Sequence, residues 1–146
     1  MKRNVLFIFA IVLVLALAAC GGGGAVDGET AVSESTELAS GELNLPDTVD
    51  VNTVAEIMNR DDVVLIDVRE QSEYDEAHIP GVTLIPLGTV PQNLDNIPKD
   101  KTVIMTCRSG NRSGQATDFL RQNGFDNVHN MEGGINAWKA AGLEVE

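Results

Sequence analysis

Apolar residues fall along this chain in three different rhythms. Val5 to Ala19 is an unbroken apolar run of fifteen residues. From Gly21 to about Pro46 the rhythm disappears: Gly, Ser, Thr and Glu dominate, with five acids, no base and no helical or strand period. Beyond Asp47, short apolar runs alternate with stretches whose apolar residues recur three and four positions apart. The runs read as buried strands, and the three-four spacing reads as amphipathic helices.

Thr53-x-x-Glu56 looks like a capping box that opens a short helix with Val54, Ile57 and Met58 on one face. Val63 to Val68 predicts a buried strand, and Ser72 to Ala77 one or two helical turns closed by Ile79-Pro80-Gly81. Thr83 to Ile85 is a second strand, and Pro91 to Ile97 a short helix stopped by Pro98. Thr102 to Thr106 is a third strand that ends directly on Cys107. After a loop over 107–112, a helix from about Ser113 shows Ala116, Phe119 and Leu120 on its apolar face, and Asn123-Gly124 makes a left-handed C-terminal cap. Val128 to Met131 is a fourth strand and Gly133-Gly134 a tight turn; Ile135 and Trp138 form the inner face of a last helix ended by Gly142. Strands alternating with helices over about a hundred residues predict a three-layer α/β domain with a mainly parallel sheet flanked by helices, spanning 47–146. In such domains ligands gather outside the carboxyl ends of the strands, and Cys107 stands at one of those ends.

Charge narrows the partners. The chain carries 22 Asp and Glu against 10 Lys and Arg, a formal charge of −12. Loss of a leader holding Lys2 and Arg3 leaves 8 basic residues against 22 acids, or −14, for a chain starting at Cys20. Such a surface repels nucleic acid and anionic lipid headgroups, so no nucleic-acid partner is expected.

The first run has a positive n-region at Lys2 and Arg3 and is short of the roughly 20 residues a spanning helix needs, so it reads as a signal-peptide core. It stops at Leu17-Ala18-Ala19-Cys20 before four glycines, which resembles the lipobox of bacterial lipoproteins. That resemblance implies cleavage after residue 19 and acylation of Cys20. Residues 20–46 would then be a flexible acidic tether, and the domain would lie in the periplasm or on the extracellular face, touching the membrane through its lipid anchor alone. Cys107 is the second of two cysteines; with Cys20 lipidated it has no partner within the chain, which in an exported protein points to intermolecular pairing or a reactive thiol.

Cys107-Arg108-Ser109-Gly110-Asn111-Arg112 suits a nucleophile. A sulfur placed between a strand and a helix N-terminus faces converging backbone N–H groups, a cradle for negative charge. Gly110 lets the loop curl, and Arg108 and Arg112 bring positive charge that should lower the thiol and attract a small anion. One Cys and two scattered His residues offer no metal-ligand spacing, so no metal is expected.

Cys107-x-x-Gly110-x-Arg112 between strand and helix resembles the active-site loop of the rhodanese sulfurtransferases. Asp67-Val68-Arg69-Glu70, His78-Ile79-Pro80-Gly81 and Gly133-Gly134 with Ala137-Trp138 match the family in order, over roughly Asp47 to Leu143. The resemblance implies that Cys107 takes a sulfane sulfur from a small anionic donor such as thiosulfate and passes it, as a persulfide, to a thiol or cyanide acceptor. Residues 108–112 would bind the persulfide, Asp67 and Arg69 would support the loop, and no cofactor would be needed. A monomer is expected. A persulfide carrier or docking module without turnover is the alternative. A Cys-dependent phosphatase or arsenate reductase fits less well, because phosphatases on this fold carry Cys-x5-Arg and four residues separate Cys107 from Arg112 here.

Overall fold

The computed structural model describes residues 43–146; the apolar leader, Cys20 and the tether as far as residue 42 lie outside the described residues. Five strands and four α-helices follow in the order β1 (Thr48–Val49), α1 (Val51–Ile57), β2 (Val63–Asp67), α2 (Gln71–Glu76), β3 (Thr83–Leu84), β4 (Thr102–Thr106), α3 (Asn111–Gln122), β5 (Val128–Met131) and α4 (Gly134–Ala140). The sheet order is β1-β5-β4-β2-β3 and every pairing is parallel, so all carboxyl ends emerge on one side.

Strand alternation builds the three layers. Val103, Met105 and Cys107 point from β4 and its end into a cluster with Ala116 and Leu120 of α3, together with Ile66, Val68 and Phe125. Ile104 points the other way, into a second cluster with Val54 of α1, Ile135 and Trp138 of α4, and Met131. The two-residue period therefore aims the Cys107 side chain at the start of α3. Among the described residues no helix is long and apolar enough to cross a membrane.

Several elements differ from the sequence expectations for identifiable reasons. Asp50, not Thr53, caps α1: its Oδ1 accepts the N–H groups of Asn52 and Thr53 at 3.0 and 3.2 Å, while the Thr53 hydroxyl donates to Oδ2 at 2.6 Å. The expected helix over Pro91–Ile97 is instead two 3₁₀ segments, Leu87–Gln92 and Leu94–Asn96. Pro91 has no N–H to give to a carbonyl four residues back, and short connectors tighten to i→i−3 bonds such as Asn93 N–H to Val90 O at 3.0 Å. α3 begins two residues earlier than Ser113, so Asn111 and Arg112 belong to its first turn. β1 has only two residues, too few for a period to show. Leu43 and Leu45, read as tether, pack against the α1–α4 cluster, and Pro46 O lies 2.8 Å from His129 Nδ1.

Candidate functional site

The site is assembled where β4 hands the chain to α3. Gly110 is the N-cap of α3 and adopts φ 91°, the left-handed region that glycine enters without strain. That curl brings Gly110 N–H to 3.1 Å from Cys107 Sγ. Ser113, one turn into the helix and fully buried, donates its hydroxyl to the same sulfur at 3.3 Å. Burial of Cys107 raises its pKa and is the largest single influence. Hydrogen bonds from the Ser113 hydroxyl, and then from the backbone N–H groups of Ser113, Ser109 and Gly110, outweigh it and hold the thiol below its ordinary value. Neither arginine is among the leading causes, so the expected source of the lowering moves from the guanidinium groups to hydrogen bonds.

Arg112 is held elsewhere. Its two terminal nitrogens donate to both carboxylate oxygens of Glu73, at 2.6 and 2.7 Å. That bidentate pair holds Glu73 down to about 2, the Arg112 hydrogen bonds leading and burial opposing. It also ties α2 to the first turn of α3. α2 is fixed in turn by Arg69, which donates to Glu73 O at 3.0 Å and to Ala77 O at 2.8 Å. Arg69 is itself clamped by buried Asp67, with nitrogen–oxygen distances of 2.8 and 2.7 Å. Asp67 and Arg69 thus pair with each other rather than with Arg112, and they reach the loop only through α2. Arg108, Ser109 and Asn111 are exposed on the outer side of the loop.

The loop is gripped from behind by α4. Ile135 N–H donates to Cys107 O at 2.8 Å and Asn136 N–H to Arg108 O at 3.1 Å. The C=O and N–H of one trans peptide point in opposite directions, so holding Arg108 O outward turns Ser109 N–H in toward the sulfur. Gly134 makes the approach feasible, because a Cβ there would lie 2.2 Å from Cys107 O and 2.8 Å from Ser109 N. Gly133-Gly134 therefore does more than turn the chain: it seats a helix start against the Cys107 loop.

Ser113, Glu73 and the α4 amides are the site components that the sequence alone did not single out. Ser113 follows the recognisable hexapeptide by one residue, and that adjacency is the one sequence signal that could have found it. Glu73 lies 39 residues from its partner and offers only its place three residues after Glu70, whose N–H it accepts at 3.2 Å. His78 is occupied away from the loop: its ring stacks on Tyr74 at 3.7 Å, Nδ1 lies 3.0 Å from Tyr74 O, and Nε2 lies 3.4 Å from Glu146. Trp138 is core, its indole N–H donating to Glu144 O at 2.8 Å. Among the described residues no group of three or more His, Cys, Asp or Glu side chains could hold a metal ion.

Cavity size is a poor guide to this chemistry. A hollow of about 440 Å³ lies at the amino ends of the strands, between Asp62, Thr102, Asn127 and His129. A smaller one of about 180 Å³ opens beside the loop, between α2 and α4. At the carboxyl ends, backbone N–H groups converge on the Cys107 sulfur.

Comparison with known proteins identifies the family. The family model of the rhodanese-like domain matches residues 50–141. A sulfurtransferase of Allochromatium vinosum is 39% identical over 89 residues, which cover 61% of this chain and 83% of the relative. The thiosulfate sulfurtransferase GlpE of Pseudoalteromonas translucida is 30% identical over 93 residues, 64% of this chain and 89% of that protein. The crystal structure of a rhodanese-related protein from Thermoplasma volcanium superposes with a TM-score of 0.64 at 29% identity, over 69% of this chain and 98% of that one.

Proposed function

This chain belongs to the rhodanese-like domain family, and from that premise we propose that it transfers sulfane sulfur through a persulfide on Cys107. The observation that carries the reading is the cradle: Gly110 N–H at 3.1 Å and the Ser113 hydroxyl at 3.3 Å converge on one buried sulfur. These donors favour the thiolate, the form that attacks. In the first step the Cys107 thiolate attacks the outer sulfur of thiosulfate; the sulfur–sulfur bond of the donor breaks and its electron pair leaves with sulfite. The same donors then face a persulfide anion instead of a thiolate, so the cradle serves both states of the enzyme. In the second step a thiol or cyanide takes the outer sulfur and Cys107 returns as thiolate, which gives ping-pong kinetics. The backbone of the loop from Arg108 to Arg112 binds the persulfide and the small anion, with Asp67 and Arg69 supporting it through α2. No cofactor enters either step.

The phosphatase reading is weaker for a specific reason. An arginine that closes on a phosphate must be free to do so, and both terminal nitrogens of Arg112 are committed to Glu73. From the leader's sequence features we further propose that the domain is exported and lipid-anchored at Cys20 at a bacterial membrane; a monomer is the expected state.

The test is intact mass of the full chain before and after thiosulfate, and again after cyanide, with Cys107→Ser alongside. The expected result is a gain of one sulfur atom that maps to Cys107, is lost to cyanide as thiocyanate, and is missing in the variant. A chain that gains sulfur yet cannot release it to cyanide or thiols would be a carrier without turnover. No gain with thiosulfate or any other sulfane donor would sink the sulfur-transfer reading.

A further inference from the structure

The distribution of cations singles out one place. The described residues contain eight Lys and Arg side chains. Arg60, Arg69, Arg112 and Arg121 each pair with a carboxylate, and Lys99 sits 4.4 Å over the Phe125 ring. Lys101 lines the hollow at the amino ends of the strands. Arg108 and Lys139, which form no ion pair among the described residues, both line the hollow of about 180 Å³ beside the loop. In a chain of net charge −12, two unpaired cations lining one small space beside the loop that carries Cys107 are a local reversal of the molecule's field.

The rest of the lining refines the fit. Arg69 and Glu73 also border the hollow, but Asp67 and Arg112 already neutralise them. Ile135, Asn136 and Glu76 complete the wall, and Glu76 forms no ion pair among the described residues. What is left is two positive charges, one negative charge and an amide. A volume of about 180 Å³ equals roughly six waters at about 30 Å³ each, more than one sulfite occupies and enough for a short organic thiol. The amide cradle around Sγ is separate from this hollow, and it is the cradle that suits the small oxyanion leaving group.

We infer that this hollow seats the acceptor: a small thiol bearing a carboxylate, of the amino-acid-thiol class, held by Arg108 and Lys139 with Glu76 facing its ammonium group. The inference rests on the reading of Cys107 as a persulfide carrier. The reacting atom is then the outer sulfur, one S–S bond of about 2.0 Å beyond the buried Sγ. The acceptor thiolate attacks that sulfur, a new sulfur–sulfur bond forms, the bond to Sγ breaks, and its electron pair restores the Cys107 thiolate. The product is the acceptor's persulfide anion, so charge and atoms balance without an oxidant. Lys139 acts here as a specificity determinant.

Two readouts on the full chain test this independently of each other. The first compares alkylation of Cys107, followed by peptide mass, with iodoacetate and with iodoacetamide, which needs no sulfur transfer. The second loads Cys107 with thiosulfate and compares sulfur removal by 3-mercaptopropionate, 2-mercaptoethanol and cysteamine. In both, the quantity read is the ratio of the carboxylate reagent's rate to the neutral reagent's rate. Lys139→Glu is expected to lower each ratio roughly fivefold to tenfold, the size of reversing one exposed charge contact. Cysteamine should gain relative to the neutral thiol. Lys101→Glu makes the same change in net charge at the far end of the sheet and should leave both ratios where they were. Ratios equal in all three proteins would overturn the inference even where the persulfide forms. Slower loading by thiosulfate with an unchanged acceptor ratio would assign the cations to the donor and overturn it too. Loss of the alkylation ratio in Lys139→Glu, with no persulfide formed at all, would overturn the sulfur-transfer reading and the acceptor with it.

Discussion

At the end of β4 the chain turns into α3 through Gly110 at φ 91°, and at the end of β5 it turns into α4 through Gly133 at φ 70°. Both helices start from a left-handed glycine and neither has a side-chain cap, so both present unsatisfied N–H groups to whatever lies in front. In front of α3 lies a sulfur atom. In front of α4 lie the carbonyls of Cys107 and Arg108, which accept from Ile135 and Asn136. The first junction binds the Cys107 sulfur and the second binds the first junction's backbone. The pair teaches that an anion cradle needs its carbonyls held away as much as its amides held in, and that the holding lies 27 residues further along the chain, counted from Cys107 to Gly134.

The severest way to break this arrangement is a single methyl group. In Gly134→Ala a Cβ would meet Cys107 O at 2.2 Å and the backbone of Arg108 and Ser109 at 2.8 Å, all of it backbone that cannot rotate away. Overpacking of about 1–3 kcal/mol adds to about 1–2 kcal/mol for an L-residue at φ +56°, so a loss of about 2–5 kcal/mol is expected. Gly124→Ala is the control: it has φ +79° with nothing within 4 Å of its Cβ, and should lose only the conformational part, about 1–2 kcal/mol. Urea midpoints of the two variants measure the difference. Sulfur loading of the surviving folded fraction should fail in Gly134→Ala alone. Equal midpoints would mean that α4 does not press on the loop.

Much of the first junction is legible in the sequence and little of the second is. Thr102 to Thr106 reads as a strand because its interior residues are apolar and buried on both faces, and its end on Cys107 follows from the polar residues after it. Val128 to Met131 and the Asn123-Gly124 cap are legible for the same reason: a strong local signal with no competitor nearby. Gly133-Gly134 can be read as a turn, but the carbonyls it touches are distant in sequence and carry no residue signature. Ser113 escapes because a serine inside a helix is ordinarily unremarked, and Glu73 because it is one of 22 acids with its partner 39 positions away. Asp50 and Thr53 were both able to cap α1; the local pattern cannot rank them, and packing chooses the one that lets Val51 and Val54 reach the core.

A milder change sharpens the role of the first junction. Ser113→Ala removes the hydrogen bond that does most to lower Cys107, while burial, which raises it, stays. The titration midpoint of Cys107 alkylation should move up, and the rate with iodoacetamide at neutral pH should drop about tenfold, the lower end of what one hydrogen bond to a charged group contributes. Stability should change little, because the fragment removed is a single hydroxyl. An unmoved midpoint would mean that the backbone amides of Ser109 and Gly110 suffice and that Ser113 only packs.

The smallest expected effect concerns the strut between α2 and the first junction. Glu73 has a folded value of about 2 against an ordinary 4.5, because Arg112 donates to both of its oxygens. A carboxylate lowered on folding contributes stability that is fully present above its unfolded value and is lost as pH falls through its folded value. The contribution of this pair should therefore be intact above 4.5 and disappear between 4.5 and about 2. The pair is partly exposed, with side chains 30% and 26% accessible, so solvent screening limits the contribution to about 1 kcal/mol. Glu73→Gln should lose about that much at neutral pH and converge with the unaltered chain as the medium approaches the lower limit, with added salt narrowing the gap in between. Urea titrations of both proteins across that window give the answer. A gap that persists at the acid end would show that Glu73 acts through packing of α2 rather than through its charge. The strut would then be steric, leaving the orientation of Arg112 to the first turn of α3 alone.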